Sequence, residues 1–367
     1  MAISLEERDR RYGAIRELML KDKLDSLLVA GRGDYLSRGN IRYITDYGII
    51  IGELYCIFTL EGVPVFIAPK GPVPAKLHKA EWALDFRETS NRVEQVIKEL
   101  SRLDKGNKVG IVGMADISVP MYLAVLAQFN NRLVDATGIF RQLRLIKSAE
   151  EIEKMRVSAS IADKVFILLR DMIRPGLSDY EIYGEVKRVI HKMGCQYSME
   201  LISAEGANIN LFHPTGDRLE TNGTLVLEIT PSYEGYYTQL PVTLPVGEYP
   251  PHIRKMIPIF KQALEAAVSI LRPGTKVSDI HLAIEKVIHS EGYISPWRHG
   301  HGIGLDVIDF WSLSESNTMI LKPGMILTLH PNLLLEPESE GNGIAMGYTY
   351  LITDTGSERL NKVCMAD

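Results

Sequence analysis

Two polar side chains, Glu228 and Gln239, lie on the two arms of a predicted β-hairpin. The stretch 225–247 alternates apolar and polar residues, breaks at residues 231–232 and resumes through residues 235–237. This pattern, rich in Val, Leu, Ile, Tyr and Thr, is typical of two strands joined by a turn. Strands that pair around a turn can bring distant residues side by side on one face. The sequence therefore predicts a carboxylate beside an amide.

An internal repeat indicates the scaffold that must position this hairpin. Residues 173–194 and 271–292 align at a constant register of 98 residues, with eight of 22 positions identical. Each copy reads as a helix end, a Pro-Gly turn and an amphipathic helix with a glycine stop. Because a solenoid needs three or more units, two copies favour two halves of one domain related by a pseudo-twofold axis. The shared His191 and His289 fall in the last helical turn, where an imidazolium suits the helix dipole.

The first 140 residues or so alternate predicted strands with predicted helices. Ser4 with Glu7 forms a capping box that opens a helix running to about Leu24. A second capping box, Ser148 with Glu151, opens a long helix after this region. The alternation predicts an α/β domain. The predicted strands are 25–30, 54–60, 63–68, 108–113 and 132–136, and the helices between them are 92–103 and 119–129.

The composition excludes several classes of protein. A chain of 367 residues with 46% hydrophobic and 24% charged residues is typical of a soluble protein of two domains. A net charge of −5 gives no reason to expect nucleic acid or an anionic membrane as a partner. The three cysteines lie far apart and are expected to be reduced thiols, as in a cytoplasmic protein. The charged N-terminus predicts no signal peptide, and no apolar run approaches a membrane span.

The hairpin resembles that of the creatinase/aminopeptidase P/prolidase family, the pita-bread enzymes. In that family a Gly-Tyr pair lies between two Asp residues that bind a pair of metal ions. Here Gly235 and Tyr236 are in place, while the Asp positions hold Glu228 and Gln239. The resemblance implies an α/β fold with a creatinase-like N-terminal domain over residues 1–142. It also implies a pita-bread domain with an internal pseudo-twofold repeat over residues 143–367.

Other segments resemble the family's remaining site motifs. Residues 205–213 end in His213, which aligns with the histidine that acts as general acid/base. The glycine-rich turn after His299 aligns its metal-binding histidine with His301. Two metal-binding glutamates of the family fall on His330 and Gly347.

The charges at these positions argue against a pair of metal ions. The family site holds four carboxylates and one histidine, whereas the five positions here read Glu228, Gln239, His301, His330 and Gly347. One carboxylate cannot neutralise two divalent ions in a desolvated cleft. We therefore expect a polar pocket without metal or other cofactor. The alternative is a single ion held by Glu228, His301 and His330, since two histidines and one carboxylate suit Fe, Zn or Mn.

The resemblance to creatinase itself is partial. Its two substrate-binding glutamates fall on Pro241 and His330, and an expected arginine falls on Ser312. Because the carboxylates that would bind a guanidinium group are mostly missing, creatine is not the expected substrate.

The function predicted from these residues is a metal-independent, creatinase-like hydrolase of a C–N bond, or a lyase, acting on a small polar molecule. The expected catalytic residues are His213 as general acid/base with Glu228, His301 and His330. The expected substrate-binding residues are Gln239, Tyr237 and Glu53. Glu53 would reach the cleft of a neighbouring subunit, since family members often form homodimers. The alternatives are a mononuclear, Xaa-Pro peptidase-like metalloenzyme and a non-catalytic binding protein on a peptidase scaffold.

Overall fold

The computed structural model describes residues 3–48, 52–70, 82, 85–206, 208–295, 297–336 and 342–364. The chain divides into two compact units, Met1–Leu145 and Ile146–Asp367. Sequence analysis placed this boundary between residues 142 and 143. Within the described residues, no helix combines the length and the apolar character that crossing a membrane requires.

The first unit is built on a six-stranded mixed sheet in the order β4-β3-β2-β1-β5-β6. Its buried core forms where apolar strand residues such as Leu28, Ile57 and Val109 pack against α3 and α4. Its elements are α1 (Leu5–Asp22), β1 (Leu24–Arg32), α2 (Gly39–Thr45), β2 (Glu53–Thr59), β3 (Val65–Pro69), β4 (Asp85–Thr89), α3 (Arg92–Leu103), β5 (Lys108–Val112), α4 (Val119–Phe129), β6 (Leu133–Asp135) and α5 (Thr137–Leu145).

The predicted elements of this unit form with small shifts at their ends. The Ser4 hydroxyl accepts a hydrogen bond from the Glu7 backbone N–H, as the capping box predicts. The helix ends at Asp22, earlier than predicted, because Lys23 adopts a left-handed conformation with φ of 58° and Leu24 already begins β1. The predicted strands 54–60 and 63–68 form β2 and β3, which pair antiparallel.

The second unit places helices around several small antiparallel sheets, of which β8-β9-β12 and β13-β14-β17-β18 carry the site. Its helices are α6 (Ala149–Met172), α7 (Asp179–Lys192), α8 (Pro251–Ser269) and α9 (Val277–Ser290). Its strands are β7 (Tyr197–Ser198), β8 (Leu201–Ser203), β9 (Thr224–Ile229), β10 (Pro231–Tyr233), β11 (Tyr236–Tyr237), β12 (Leu240–Pro245), β13 (Gly300–Gly302), β14 (Ile326–Leu329), β15 (Asn332–Leu334), β16 (Gly343–Ala345), β17 (Tyr348–Ile352) and β18 (Ser357–Arg359).

The predicted hairpin over residues 225–247 forms as two consecutive ladders. β9 pairs antiparallel with β12, and β10 pairs with β11 around a two-residue turn. Both turn residues, Glu234 and Gly235, have positive φ, which is the geometry of a type I′ hairpin turn. Glu228 lies opposite Pro241 on β12, so Gln239 sits just before the strand that faces it.

The two copies of the repeat share their local geometry at the 98-residue register. Gly176 and Gly274 both have positive φ, near 85° and 89°, and each donates its N–H to a carbonyl in a later segment. Ser178 and Lys276, which are also 98 residues apart, each form an isolated antiparallel bridge to that segment. The second-half helix has the same length as α7, at 14 residues. These paired features support two equivalent halves; their superposition by a single rotation stays a prediction.

Candidate functional site

A cavity of about 740 Å³ opens in the second unit, and two predicted site residues, Glu228 and His330, line it. Gln239 lies beside Glu228 and His301 beside His330, but neither is among the lining residues. Its wall combines a carboxylate, a guanidinium and an imidazole with aromatic and amide side chains. The lining residues are Ile209, Asn210, Leu211, Phe212, Glu228, Trp297, Arg298, Ser312, His330, Asn332 and Ala345. This mixture of apolar walls and a few convergent polar groups is typical of a site for a small molecule.

Glu228 is the acidic group of this cavity. β9 holds it between β8 and β12, opposite Leu201 on one side and Pro241 on the other. Burial raises the pKa of Glu228 to about 7, against the opposing effects of Arg298 and a hydrogen bond from Gln239. Near neutral pH the carboxyl group is therefore present in both protonation states, as a group that exchanges protons with a substrate must be.

Gln239 replaces the second Asp of the family pattern and lies almost fully buried beside Glu228. Its backbone N–H donates to the Thr349 hydroxyl, and its carbonyl accepts from the same hydroxyl, so the residue is fixed from both sides. Its side-chain Oε1 is buried without a hydrogen-bond partner. The side-chain amide therefore forms a hydrogen bond with the Glu228 carboxylate, and its oxygen remains available as an acceptor.

His301 and His330 form a buried imidazole pair with ring centroids 5.6 Å apart. Burial lowers the pKa of His301 to about 3 and lowers the pKa of His330 well below its usual range, so both rings are neutral. The Nδ1 atom of His301 lies 3.0 Å from the Gly302 carbonyl, which can only accept. Nδ1 therefore carries the proton and Nε2 is an acceptor.

Arg298 is a functional candidate that the sequence analysis missed. It lines the cavity with Glu228, and its charge lowers the pKa of Glu228, His301 and His330. A guanidinium group in a cavity can bind a carboxylate through two parallel hydrogen bonds. The one signal in the sequence is its place directly before the histidine-containing turn.

Three further predicted residues also lie outside the lining of the cavity as far as the described residues show. His213 is exposed and follows Phe212, a lining residue whose ring lies 5.8 Å from the imidazole. Tyr237 is fully buried on β11, and its backbone N–H donates to the Gly304 carbonyl. Glu53 belongs to the first unit, where its carboxylate accepts a hydrogen bond of 2.7 Å from Tyr55. Their predicted roles stay predictions.

The residues present do not fit the dinuclear metal centre that the resemblance implies. At position 347, where the family has a metal-binding glutamate, an added Cβ would collide with the Leu329 carbonyl and would lie 2.5 Å from the His330 Cβ. The Leu329 carbonyl and the Cα and Cβ atoms of His330 thus occupy the space where that ligand would begin. With Gln239 in place of a second carboxylate, the ligands of two divalent ions are missing.

A single ion at Glu228, His301 and His330 also finds no preformed ligand set. Among the described residues, one group of three metal-binding side chains has its ligand atoms within 4.8 Å of one another, and it consists of His281, Glu285 and His299. The ligand atoms of the Glu228 trio do not lie this close to one another. Its ligand atoms would have to approach one another before they could share an ion.

Comparison with known proteins shows that two family models match the chain. The Creatinase/Prolidase N-terminal domain matches residues 11–146, and Metallopeptidase family M24 matches residues 153–354. The chain therefore belongs to metallopeptidase family M24, a family of hydrolases. The predicted family and the predicted fold, with its creatinase-like and pita-bread domains, are confirmed.

Individual relatives resemble the chain over most of its length. The Xaa-Pro aminopeptidase of Escherichia coli (strain K12) is 28% identical over 324 residues, which cover 78% of this chain and 73% of the relative. The prolidase from Pyrococcus horikoshii OT3 has a TM-score of 0.84 at 22% identity, covering 97% of this chain and 99% of that one. The X-Pro aminopeptidase from Thermotoga maritima MSB8 has a TM-score of 0.86 at 19% identity, covering 97% and 98%. The two structural matches show the shared fold.

Proposed function

We propose that this protein hydrolyses a C–N bond in a small polar molecule by proton transfer, without a metal ion in its cleft. The observation that carries the proposal is Glu228, whose pKa of about 7 places a carboxyl group in the cavity that can hold or release a proton at neutral pH. Efficient general acid–base catalysis needs a pKa close to the working pH. The loss of the dinuclear ligand set at Gln239 and Gly347 makes proton transfer the chemistry that remains.

The substrate class follows from the groups around Glu228. Arg298 supplies a guanidinium that would bind a substrate carboxylate, and Asn332 and Asn210 add amide groups at the wall. Phe212 and Trp297 provide apolar surface for the rest of the molecule. We infer a substrate that carries one carboxylate next to an amide, urea or amidine carbon. Xaa-Pro dipeptides and N-acylated or N-carbamoylated amino acids belong to this class.

In the proposed reaction, a water molecule attacks the carbonyl or amidine carbon. Ionised Glu228 takes a proton from that water, and the departing nitrogen receives a proton as the C–N bond breaks. His213, beside the lining residue Phe212, is proposed to act in this second transfer. Arg298 would stabilise negative charge on the substrate, and neutral His301 would orient the water through its acceptor Nε2.

The experiment is an activity screen followed by comparison of variants. We expect hydrolysis of at least one carboxylate-bearing amide or urea, with no turnover of the same compound as its methyl ester. Glu228→Gln should lower kcat by about 10²–10⁴-fold, the usual contribution of proton transfer, and His213→Ala should lower it within the same range. His252→Ala serves as a control histidine outside the site. A full panel without turnover, with those compounds still binding, would favour the non-catalytic alternative.

A mononuclear, Xaa-Pro peptidase-like metalloenzyme is the second candidate, and one observation favours it. The Nδ1–H of His301 is held by the Gly302 carbonyl, which is how proteins orient a metal-binding imidazole so that Nε2 faces the ion. In that case the hydrolytic activity would disappear on chelation, and it would return in proportion to added metal. The loss should be the same in a variant that lacks His281.

A further inference from the structure

A second cluster of metal-binding side chains lies apart from the cavity lining. His281 and Glu285 are one helical turn apart on α9, and His299 directly precedes β13. The ligand atoms of these three residues all lie within 4.8 Å of one another. None of the three is among the residues that line the cavity. His299 is fully buried, and His281 and Glu285 are half-buried.

We propose that His281, Glu285 and His299 form a binding site for one divalent transition-metal ion of the zinc class, with a water molecule completing the coordination. Two histidines and one carboxylate are an established ligand set for zinc. Tetrahedral zinc with ligand bonds of about 2.0–2.2 Å has its ligand atoms roughly 3.4 Å apart. His299 and Glu285 are 2.6 Å apart and all three ligand atoms lie within 4.8 Å of one another, so small side-chain movements would bring them to that distance.

The hydrogen bonds around the cluster are those that hold ligands in place. The second oxygen of Glu285 lies 2.7 Å from Nε2 of His289, one further turn along α9. Nδ1 of His299 lies 3.5 Å from the Ser295 hydroxyl. Metal-binding imidazoles and carboxylates typically have their remaining polar atoms engaged in this way.

One polar atom of the cluster, Nδ1 of His281, has no hydrogen-bond partner. Glu285 and His299 satisfy each other with a contact of 2.6 Å, which needs no third partner. His281 packs against them, with its ring centroid 5.1 Å from that of His299, yet its Nδ1 is buried without a partner. A buried polar atom without a partner costs stability, and a cation bound through this Nδ1 would satisfy it.

The first half of the repeat shows that the fold does not require this cluster. At the 98-residue register, Tyr183 and Lys187 on α7 take the places of His281 and Glu285. Lys187 forms an ion pair with the buried Glu200 and packs over the Tyr183 ring. That arrangement contains no metal-binding pair, so the histidines of the second half are a particular feature of that half.

The site would fix the strand that carries His301. The carbonyl of His299 accepts a hydrogen bond of 2.8 Å from the His330 N–H, and His299 lies two residues before His301. An ion that joins α9 to His299 would thus stabilise the backbone at both His301 and His330. This role is independent of whether the cavity itself binds a metal.

Titration of the chelator-treated full-length protein with Zn²⁺ alone tests the proposal. We expect one ion per chain by calorimetry and a thermal midpoint raised by roughly 5 °C at a hundredfold excess over Kd. His281→Gln should weaken binding by more than about 100-fold, and His289→Ala by about 10-fold. His191→Ala, at the equivalent position of the first half, should bind as the unmodified chain does. Co²⁺ in place of Zn²⁺ should give visible absorption bands of a tetrahedral site that His281→Gln abolishes.

Two results would overturn the proposal. One is the absence of Zn²⁺ binding tighter than about 1 mM, the weak end of specific association. The other is binding that persists unchanged in His281→Gln but is lost when His301 and His330 are both replaced by alanine, which would place the ion in the cavity. If His281→Gln does not fold, as circular dichroism would reveal, Glu285→Gln takes its place with the same expected loss.

Discussion

The two halves of the second unit carry residues of opposite charge at one equivalent helix position. On α7, the cation Lys187 forms an ion pair with Glu200, whose side chain is fully buried. On α9, 98 residues later, the anion Glu285 contacts His299, which is buried to the same degree. In both halves a charged side chain of the helix therefore contacts a buried polar side chain, but the charge of the helix residue is reversed between the halves. The first half has a lysine–glutamate ion pair, whereas the second pairs a carboxylate with an imidazole, and both of these groups can bind a cation.

The largest expected difference between the halves is in the cost of breaking these links. Lys187→Met would leave the buried Glu200 without its counter-charge, and we expect it to lower the free energy of unfolding by about 3–5 kcal/mol. Glu285→Gln should cost only about 1 kcal/mol, because the amide of Gln can still form a hydrogen bond with His299. Urea denaturation of both variants measures the difference. The double variant of Lys187→Met with Glu200→Gln should recover most of the loss, and equal costs in the two halves would contradict the comparison.

The halves should also respond to pH with opposite slopes. Burial raises the pKa of Glu200 even though Lys187 opposes it, so its contribution to stability is lost as pH rises through that raised pKa. Burial acts in the same direction on Glu285, but the hydrogen bond and charge of His299 lower the pKa of Glu285 overall. Its contribution is present above the usual carboxyl pKa and is lost as pH falls through the lowered pKa.

Unfolding free energies measured between about pH 3 and pH 8 in metal-free buffer test these slopes. Glu200→Gln should remove the part of the profile that falls with rising pH. Glu285→Gln should remove a part that rises with pH. If both substitutions change the slope in the same direction, the pKa values of Glu200 and Glu285 are not shifted in opposite directions, and the comparison fails.

The smallest expected difference concerns the pair of histidines that the repeat shares. Nδ1 of His191 contacts the Cys195 carbonyl at the end of α7, whereas Nε2 of His289 contacts Glu285. Both side chains are exposed, so without metal we expect each alanine substitution to change the free energy of unfolding by no more than about 1 kcal/mol. With saturating Zn²⁺, only His289→Ala should reduce the rise in the thermal midpoint. If His191→Ala reduces this rise equally, His289 has no particular role at the proposed ion site.

The sequence predicted the parts of the site that depend on local pattern. Alternation along the hairpin correctly placed Glu228 and Gln239 together, because strand pairing fixes which residues share a face. Arg298 was missed because it lies in a loop, where no periodicity marks a side chain that turns into a cavity. Gly347 could be recognised as a missing ligand, but only the tertiary contact with His330 shows that the space is filled.

The second cluster was half visible in the sequence. His281, Glu285 and His289 have the four-residue spacing of one helix face, yet His289 alone was interpreted, as a partner of the helix dipole. The missing residue was His299, which joins the cluster through a contact across 14 positions of chain. A strand and a helix that meet in the folded domain bring together ligands that helical spacing alone does not predict.

We propose two separate roles: catalysis in the cleft needs no metal, and one ion binds at His281, Glu285 and His299. The most direct measurement uses the His281→Gln variant, stripped with chelator to well below one metal ion per ten chains, and follows turnover of the substrate identified by the screen. We predict that this variant keeps turning over substrate and that Glu228→Gln added to it abolishes turnover. Loss of activity on stripping, with recovery in proportion to added Zn²⁺ or Mn²⁺ in that same variant, would contradict the claim.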